Sequence, residues 1–342
     1  MEKTRILVTG GTGYIGSHTV VELQNNGFDV VIVDNLSNSN LDVLDGITRI
    51  TGIRPDFFHG DITDLSQVKR LFDTYKNIKG IINFAASKAV GESVQKPLLY
   101  YRNNLNGLMN LLDMMPNYGV EGIVFSSSCT VYGEPDKNPI DETAPIKHPT
   151  SPYGATKQIS EEIIEDVIVS GAPFKSILLR YFNPIGAHPS ANIGELPNGV
   201  PQNLVPFLTQ AAAGLRPELT VFGDDYNTPD GSCIRDYIDV VDLAKAHVVA
   251  LKRLLNDKET PAVEVFNLGT GNGCSVLGLI KEFEAATGVK VPYKIGARRA
   301  GDIEKIWADP RKANEELKWK AETPISKTLE SAWRWQQHLL KK

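Results

Sequence analysis

Tyr153 and Lys157 stand four residues apart in SPYGATK (151–157). On a helix, positions i and i+4 share a face. Neither group is an acid or base at neutral pH on its own, since tyrosine titrates near ~10 and lysine near ~10.4. A protonated lysine beside the phenol favours the phenolate. Moving a phenol from ~10 to ~7 takes about 4 kcal/mol of differential stabilisation. One exposed ion contact rarely supplies that, so the pair needs further positive charge in a dry cleft. The spacing alone has little weight, because a Tyr and a Lys four apart recur by chance. The setting adds weight. A β-rich run, GIVFSS (122–127), precedes the pair and runs into Ser126-Ser127-Ser128. A serine there can hydrogen-bond the same hydroxyl as the tyrosine. Ser126 or Ser127 can equally serve as helix cap or turn former.

The missing charge has a source earlier in the chain. TGGTGYIG (9–16) follows the apolar run ILVTG (6–10) and opens a helical stretch. Gly10, Gly13 and Gly16 give GxxGxxG spacing, and Gly11 also completes GxGxxG. Such glycines permit a tight turn and a close approach of backbone to a pyrophosphate. The helix start at Tyr14, Ile15 and Gly16 then faces its negative charge. Glycine turns also occur at ordinary strand–helix junctions, but Asp34 narrows the reading. It ends the run VVIVD (30–34), eighteen residues past Gly16. A carboxylate there accepts both ribose hydroxyls and repels a 2′-phosphate, which favours NAD over NADP. The alternative is a capping Asp that opens a turn before Asn35. The positive nicotinamide ring of NAD would supply the charge the pair lacks. Tyr153 would then remove a hydroxyl proton while NAD removes the hydride.

The elements that must position these residues alternate. Further β-rich runs are DFFHG (56–60), GIINFA (80–85) and KSILLRY (175–181), with helical spacing in YIGSHTVVELQNNG and SEEIIEDVIVSG. Strand, helix, strand, repeated, predicts an α/β fold: a Rossmann-like, doubly wound parallel sheet. The 342 residues, 42% hydrophobic, suffice for two lobes. Residues 1–182 are expected to form the dinucleotide-binding domain, with about 235–265 packing back onto it. Residues 183–342 are expected to form mainly a smaller mixed α/β substrate domain. Asn183 to Gly231 is rich in Pro, Gly and Asn and reads as long loops. Helix DLAKAHVVALKRLL (242–255), strand VEVFNLG (263–269) and helix SKTLESAWRWQQHLL (326–340) follow.

A net charge of -5 with mixed signs and no basic stripe speaks against nucleic acid. Cys129, Cys233 and Cys274 are scattered without CxxC spacing. That fits reduced thiols in the cytoplasm better than disulfides or a metal site. MEKTR runs straight into ILVTG, leaving no room for a signal peptide, and no apolar run is long enough to span a bilayer.

Almost the whole chain resembles the extended short-chain dehydrogenase/reductase superfamily, and within it the UDP-glucose 4-epimerases. The resemblance rests on TGGTGYIGSHT (9–19), VDNLSNS (33–39), HGDI (59–62), AVGESVQKPL (89–98), SSSCTVYGE (126–134), SPYGATK (151–157) and LRYFNPIGAHP (179–189). DGSCIRDYI (230–238), FNLGTG (266–271) and RRAGDI (298–303) continue it. AVGESVQKPL and RYFNPIGAHP are the narrower motifs and carry most of the specificity.

The resemblance implies NAD as cofactor, a UDP-hexose as substrate, a place in galactose metabolism and a homodimer paired through helices at 97–117 and 153–170. It makes Tyr153 the acid/base, with Lys157 tuning it and binding the nicotinamide ribose, and Ser128 sharing the sugar hydroxyl. Asp34, Asn35, Asn38 and Ser39 would hold the adenosine ribose, with Asp61 and Ile62 near adenine. Phe84, Ala85, Ala86, Lys88, Asn103 and Phe182 would line the inner half of the cofactor. On the substrate side Lys88 and Asn183 would meet the nucleotide sugar, and Asn203, Leu204, Val221 and Phe222 the nucleotide. Arg235 and Arg299 would clamp the diphosphate, flanked by Tyr237, with Asp302 at the uridine ribose. Guanidinium donors match phosphate oxygens bidentately. Ile306 would border the hexose. Family members with Tyr there take only plain hexoses, and those with a small residue also take N-acetylated ones. The chain departs from its relatives at Cys129 (usually Ala), Ala86-Ser87 (usually Gly-Leu) and Gln202 (often Asn).

Three other reactions or roles share these motifs. A 4,6-dehydratase needs an Asp-Glu pair just after the fifth-strand serine, where this chain has Cys129 and Thr130. An epimerase-reductase would use a Cys and a His, for which Cys129 and His188 are available, but it needs NADPH, which Asp34 opposes. A non-enzymatic NAD sensor would not need Ser128, Tyr153 and Lys157 together.

Overall fold

The computed structural model describes residues 3–257, 259–299 and 302–341. Ala300 and Gly301 of the RRAGDI motif lie outside the described residues. The elements run β1 (Arg5–Thr9), α1 (Tyr14–Asn25), β2 (Asp29–Asp34), α2 (Asp42–Thr51), β3 (Asp56–His59), α3 (Leu65–Thr74), β4 (Ile78–Asn83), α4 (Val90–Gln95), α5 (Pro97–Met114) and β5 (Gly122–Ser128). Then come α6 (Pro152–Val169), β6 (Lys175–Tyr181), β7 (Asn183–Ile185), α7 (Leu204–Ala212), β8 (Leu219–Phe222), β9 (Ile234–Arg235), β10 (Tyr237–Asp239), α8 (Val240–Asn256) and β11 (Val263–Leu268). The chain closes with β12 (Cys274–Ser275), α9 (Val276–Thr287), β13 (Tyr293–Gly296), β14 (Lys305–Ile306) and α10 (Ile325–Leu339).

Seven strands form one sheet in the order β11-β6-β5-β4-β1-β2-β3. Every pairing in it is parallel. Both faces are covered, as a parallel sheet requires. Alternation along β1 shows how: Ile6 and Val8 join the core under α1 and α8, while Leu7 joins the core under α3, α5 and α6. Strand order reverses between β1 and β4. That opens a crevice at their carboxyl ends, the usual ligand position in such sheets. A separate core gathers α7, β8, α9 and α10 around Leu208, Val221, Leu279, Phe283 and Leu329.

Two expectations need correction. Residues 183–231 are not only loop, since they contain β7, α7 and β8. In LVPFLTQAA, Val205, Leu208, Thr209 and Ala211 form a buried helical stripe, and Pro206 is tolerated in the first turn, where its missing N–H has no helical partner anyway. The helix expected over 97–117 ends at Met114, and a short tighter turn follows over Pro116–Tyr118. Pro116 supplies no N–H to continue it.

Two histidines lie inside the first core, His18 at 1% and His247 at 0% exposure. Each donates from Nδ1 to a carbonyl one turn back, Tyr14 O at 2.7 Å and Leu243 O at 2.9 Å. Among the described residues, each leaves Nε2 buried without a partner. Burial lowers His18 to about 3 and His247 to about 4. These pKa values lie below that of an unfolded histidine. The unfolded chain therefore binds more protons below about 6.5, and stability falls as pH drops from there toward the folded values, by about 1.4 kcal/mol per pH unit per histidine. Urea midpoints measured from pH 7 to 4.5 should fall less steeply in His18→Asn/His247→Asn than in the parent. An equal slope would assign the acid sensitivity to other groups.

Candidate functional site

At the crevice, the first turn of α1 presents open donors. Gly13 is its N-cap, and among the described residues no side chain caps it. The N–H groups of Tyr14, Ile15 and Gly16 have no intrahelical partners in a first turn. The glycines are there for space. Gly10 has φ +66°, and a Cβ on it would stand 2.9 Å from Ala85 N. A Cβ on Gly16 would stand 2.3 Å from Gly10 O. The backbone is thus folded against itself and against the end of β4, leaving a bare, positively polarised cradle that suits a pyrophosphate.

Asp34 faces this cradle from the end of β2. Its Oδ2 accepts from Thr12 N at 3.2 Å, and its Oδ1 from Leu36 N at 2.9 Å and Ser39 Oγ at 3.2 Å. The capping alternative is therefore realised: Asp34 closes the turn through Leu36, which has φ 59°. Those same bonds aim the carboxylate at the glycine turn, and the Ser39 hydroxyl is a partner that a ribose hydroxyl can replace. Asn35 Nδ2 donates to Asp61 Oδ2 at 3.1 Å, which ties the Asn38-containing loop to the Asp61–Ile62 turn. Ile62 itself is in the core.

The other wall follows β4. Phe84, Ala85 and Ala86 lead into a turn held by α5. Asn103 Nδ2 donates to Ser87 Oγ at 3.2 Å, and Asn104 Oδ1 accepts from Ser87 N at 2.8 Å. Asn104 also reaches Thr156 Oγ1 on α6 at 3.0 Å. Lys88 Nζ lies 3.2 Å from Glu195 Oε1, and Asn203 Nδ2 lies 2.6 Å from the same oxygen. Glu195 thus joins one residue expected at the cofactor to one expected at the nucleotide. Sequence spacing gave no sign of it.

The three serines at the end of β5 divide the work differently from the sequence expectation. Ser126 Oγ pairs with Tyr181 Oη, and Ser127 Oγ donates to Glu161. It is Ser128 that caps the next turn, its Oγ accepting from Thr130 N at 3.2 Å. Ser128 also hydrogen-bonds Tyr153. A hydroxyl donates one proton and accepts two, so both roles are compatible.

α6 starts at Pro152 after the N-cap Ser151, whose Oγ accepts from Gly154 N at 3.2 Å. That places Tyr153 in the first turn and Lys157 one turn on, against β5. Lys157 is 4% exposed, and its Nζ donates to Ser126 O at 2.5 Å. Burial lowers its pKa to about 8, with Glu161 pulling the other way. It remains protonated at pH 7. Tyr153 keeps partial access to water, yet crowding of its hydroxyl by protein pushes it up to about 12, against the Ser128 hydrogen bond. The expected lowering by Lys157 does not appear: the ammonium is 5.9 Å from the tyrosine ring centre and turns one of its N–H groups to the Ser126 carbonyl. Burial therefore outweighs the charge pair in the protein alone.

Beside Ser128, a small apolar cluster contains Cys129, Phe182 and Ile306. Ile306 is 2% exposed, and β14 pairs with β9 so that Ile306 lies opposite Arg235. Asn183 lies opposite Tyr237 in the β7–β10 pair. Arg235 and Arg299 converge on Asp302. Arg235 Nη2 is 3.4 Å from Asp302 Oδ1, and Arg299 reaches both carboxylate oxygens at 2.7 and 3.1 Å. Phe222 is exposed under the Arg299 guanidinium, 5.6 Å away. Leu204 opens α7 right after Asn203. Val221 and Tyr237, by contrast, turn their side chains into the second core, so only their backbones are available to a ligand.

Among the described residues no contact joins Cys129 and His188. Cys129 is in the apolar cluster, and burial pushes its thiol to about 12. His188 packs 6.4 Å from His18 and pairs with Ser190 at 2.8 Å. Among the described residues no group of three or more His, Cys, Asp or Glu could hold a metal, and no helix is long and apolar enough to cross a membrane.

Residues 7–332 match the family described as GDP-mannose 4,6 dehydratase. The UDP-glucose 4-epimerase of Bacillus subtilis is 50% identical over 331 residues, 97% of this chain and 96% of that one. The structure of the Stenotrophomonas maltophila UDP-glucose-4-epimerase, with bound NAD and formylated UDP-arabinopyranose, matches with TM-score 0.94 at 48% identity over 99% of both chains. That of the Bifidobacterium longum enzyme, in complex with NAD+ and UDP, matches with TM-score 0.94 at 48% identity over 98% of both.

Asp34→Ala should weaken NAD and relax discrimination against NADP, because a repulsive carboxylate is removed. Competition binding measures this. Unchanged preference would leave Asp34 with the turn-capping role alone.

Proposed function

The chain belongs to the UDP-glucose 4-epimerase family, inside the wider dehydratase-named family that its residues 7–332 match, and from that premise we propose that it interconverts UDP-glucose and UDP-galactose. The reaction is a reversible, NAD-dependent inversion at C4 through a 4-keto sugar, with a place in galactose metabolism in the cytoplasm. The observation that carries this reading is the meeting of Ser128, Tyr153 and Lys157 at the carboxyl end of β5, with Cys129 and Thr130 where a dehydratase would need two carboxyl groups.

Tyr153 takes the proton of the 4-hydroxyl and later returns it. Ser128 shares that hydroxyl and orients it. Bound NAD supplies the hydride acceptor, then the hydride donor. Starting from about 12, a phenolate at pH 7 costs at most about 7 kcal/mol, less where water still reaches the ring. Tyr153 therefore stays protonated until positive charge enters the cleft, and Lys157 keeps that side of the site cationic. Proton removal and hydride removal are tied by this requirement.

Inversion also demands that the keto sugar turn over within the site. The grip must be firm at the diphosphate and weak at the hexose. Arg235 and Arg299 serve the first need, with Asp302 holding both guanidinium groups ready. The second is served by a wall of Cys129, Phe182 and Ile306, which offers no charge. Residues 183–342, less the segments that join the large sheet, form the nucleotide-sugar side. On the helices expected to pair, Leu98, Leu99 and Met109 of α5 and Val169 of α6 are exposed apolar residues, and we assign them to pairing of two copies.

Purified protein given UDP-galactose should form UDP-glucose without net NADH. Tyr153→Phe should fold, keep NAD and lose about 10²–10⁴ in turnover. Stoichiometric NADH, a 4-keto-6-deoxy product or near-normal turnover in Tyr153→Phe would overturn the reading. Binding of NAD with no turnover at all would leave a sensor.

Ile306 sets the sugar range. It is smaller than tyrosine but β-branched and stiff, so UDP-N-acetylhexosamines should turn over more slowly than the plain pair. Ile306→Ala should raise the N-acetyl to plain activity ratio and Ile306→Tyr should lower it, each by ~1–3 kcal/mol of discrimination. Equal changes in both activities would show that the range is set elsewhere.

A further inference from the structure

We infer that the buried Glu161–Arg180 ion pair is the positioning unit of α6, fixing the helix against β5 and β6 and thereby setting Tyr153, Lys157 and Ser128 relative to one another. This rests on the assignment of Tyr153 and Lys157 as the proton-transfer pair. Glu161 continues their spacing: positions 153, 157 and 161 fall on one helix face. One turn beyond Lys157, its carboxylate leaves no oxygen idle. Oε1 accepts from Ser127 Oγ and from Arg180 Nε at 2.9 Å, and Oε2 accepts from Arg180 Nη2 at 2.6 Å. Both side chains are nearly sealed, at 7% and 8% exposure. Arg180 spends Nη1 on Tyr132 Oη at 3.0 Å, and that hydroxyl donates to Asn267 Oδ1 at 2.7 Å.

Stability alone does not explain such a pair. Apolar side chains of equal volume often replace a buried ion pair with no loss, or with a gain. What they lack is direction. Two parallel guanidinium–carboxylate bonds fix both the rotation of α6 and its position along its axis. The same strand end is read three times by the same helix: Ser126 O holds Lys157, Ser127 Oγ holds Glu161, and Ser128 meets Tyr153. Clamping Ser127 therefore sets the other two contacts. Proton transfer needs heavy atoms within about 2.6–3.2 Å, and a displacement of about 1 Å can cost about 10²-fold in rate. Glu161 and Arg180 act only through the residues they hold.

The titratable and charged groups around the ion pair are Lys157 and Glu165 on α6 and Tyr132 in the turn after β5, and those around Tyr153 are Tyr100 on α5, Cys129 after β5 and Tyr181 on β6. In Glu161→Gln, the Arg180 guanidinium loses its hydrogen-bonded counter-charge and keeps only the Glu165 carboxylate, and Lys157 loses the negative charge that raises it.

The test compares Glu161→Leu/Arg180→Met, Glu161→Gln, Ser127→Ala and Tyr153→Phe in the NAD-loaded protein. The double variant should keep its melting temperature and its NAD, while kcat falls about 10–100-fold and KM for UDP-galactose stays within about threefold. Ser127→Ala should lose a smaller part of kcat in the same manner. Glu161→Gln should move the alkaline limb of the pH–rate profile to lower pH, as Lys157 gives up its proton more readily. A folded double variant with parental kcat and pH profile overturns the inference. If the double variant does not fold, parental kcat in Ser127→Ala together with an unmoved limb in Glu161→Gln overturns it. Parental turnover in Tyr153→Phe would instead remove the reading on which it rests.

Discussion

Ser126, at the end of β5, accepts the ammonium of Lys157 on its carbonyl oxygen at 2.5 Å, and that contact keeps a cation buried one helical turn from a crowded phenol. Much of the site is organised around the cost of this arrangement. Desolvation acts on both partners in the direction that opposes charge, lowering the lysine and raising the tyrosine. The nearby Glu161 carboxylate works against burial to hold the lysine as an ammonium, and one N–H of that ammonium is satisfied by the Ser126 carbonyl. The tyrosine has only the Ser128 hydroxyl in its favour. A group so placed stays protonated in the protein alone, and in the proposed mechanism it acts as a base when positive charge is brought against it. That suits a reaction in which loss of a proton without loss of a hydride would be wasted.

The same constraint explains the division of polarity across the crevice. On the dinucleotide side the polar groups are backbone and turn groups: the open first turn of α1, the Asp34 carboxylate, and the Ser87 turn held by Asn103 and Asn104. On the side assigned above to the nucleotide sugar they are the long cations Arg235 and Arg299, gathered on one carboxylate, Asp302. The proposed wall between them, Cys129, Phe182 and Ile306, carries no charge and is nearly buried in the protein alone. A charged side chain there would hold one face of the sugar and prevent it from turning. It would also reset the pKa of Tyr153, since low-dielectric surroundings magnify any nearby charge.

β5 is the element on which these requirements meet. It is buried along its whole length and ends in three serines. One hydroxyl goes to Tyr181, one to Glu161 and one to the turn at Thr130 and to Tyr153. The following turn carries Cys129 into the apolar wall. A strand with both faces covered cannot shift register without exposing its core residues, so it is a firm reference for the helix that bears Tyr153 and Lys157.

The parallel sheet, the glycine turn, Asp34 and the Tyr153–Lys157 spacing are local patterns, and the sequence alone determined them. A strand–glycine–helix start needs the same residues wherever it occurs, and i, i+4 neighbours share a helix face whatever surrounds them. Tertiary structure decided the rest. The serines could not be told apart in sequence, because their duties depend on what each strand face meets. Glu161 and Glu195 gain their partners only when Arg180, Lys88 and Asn203 are brought to them from 19, 107 and 8 residues away. α7 was hidden by Pro206 and its glycine-rich flanks, since its apolar stripe is meaningful only against α10 and β8. Most of all, the direction of the pKa shift on Tyr153 could not be read from spacing. Spacing shows a lysine nearby, but the sign depends on how much water the fold removes from the phenol, and that is a property of the whole packed site.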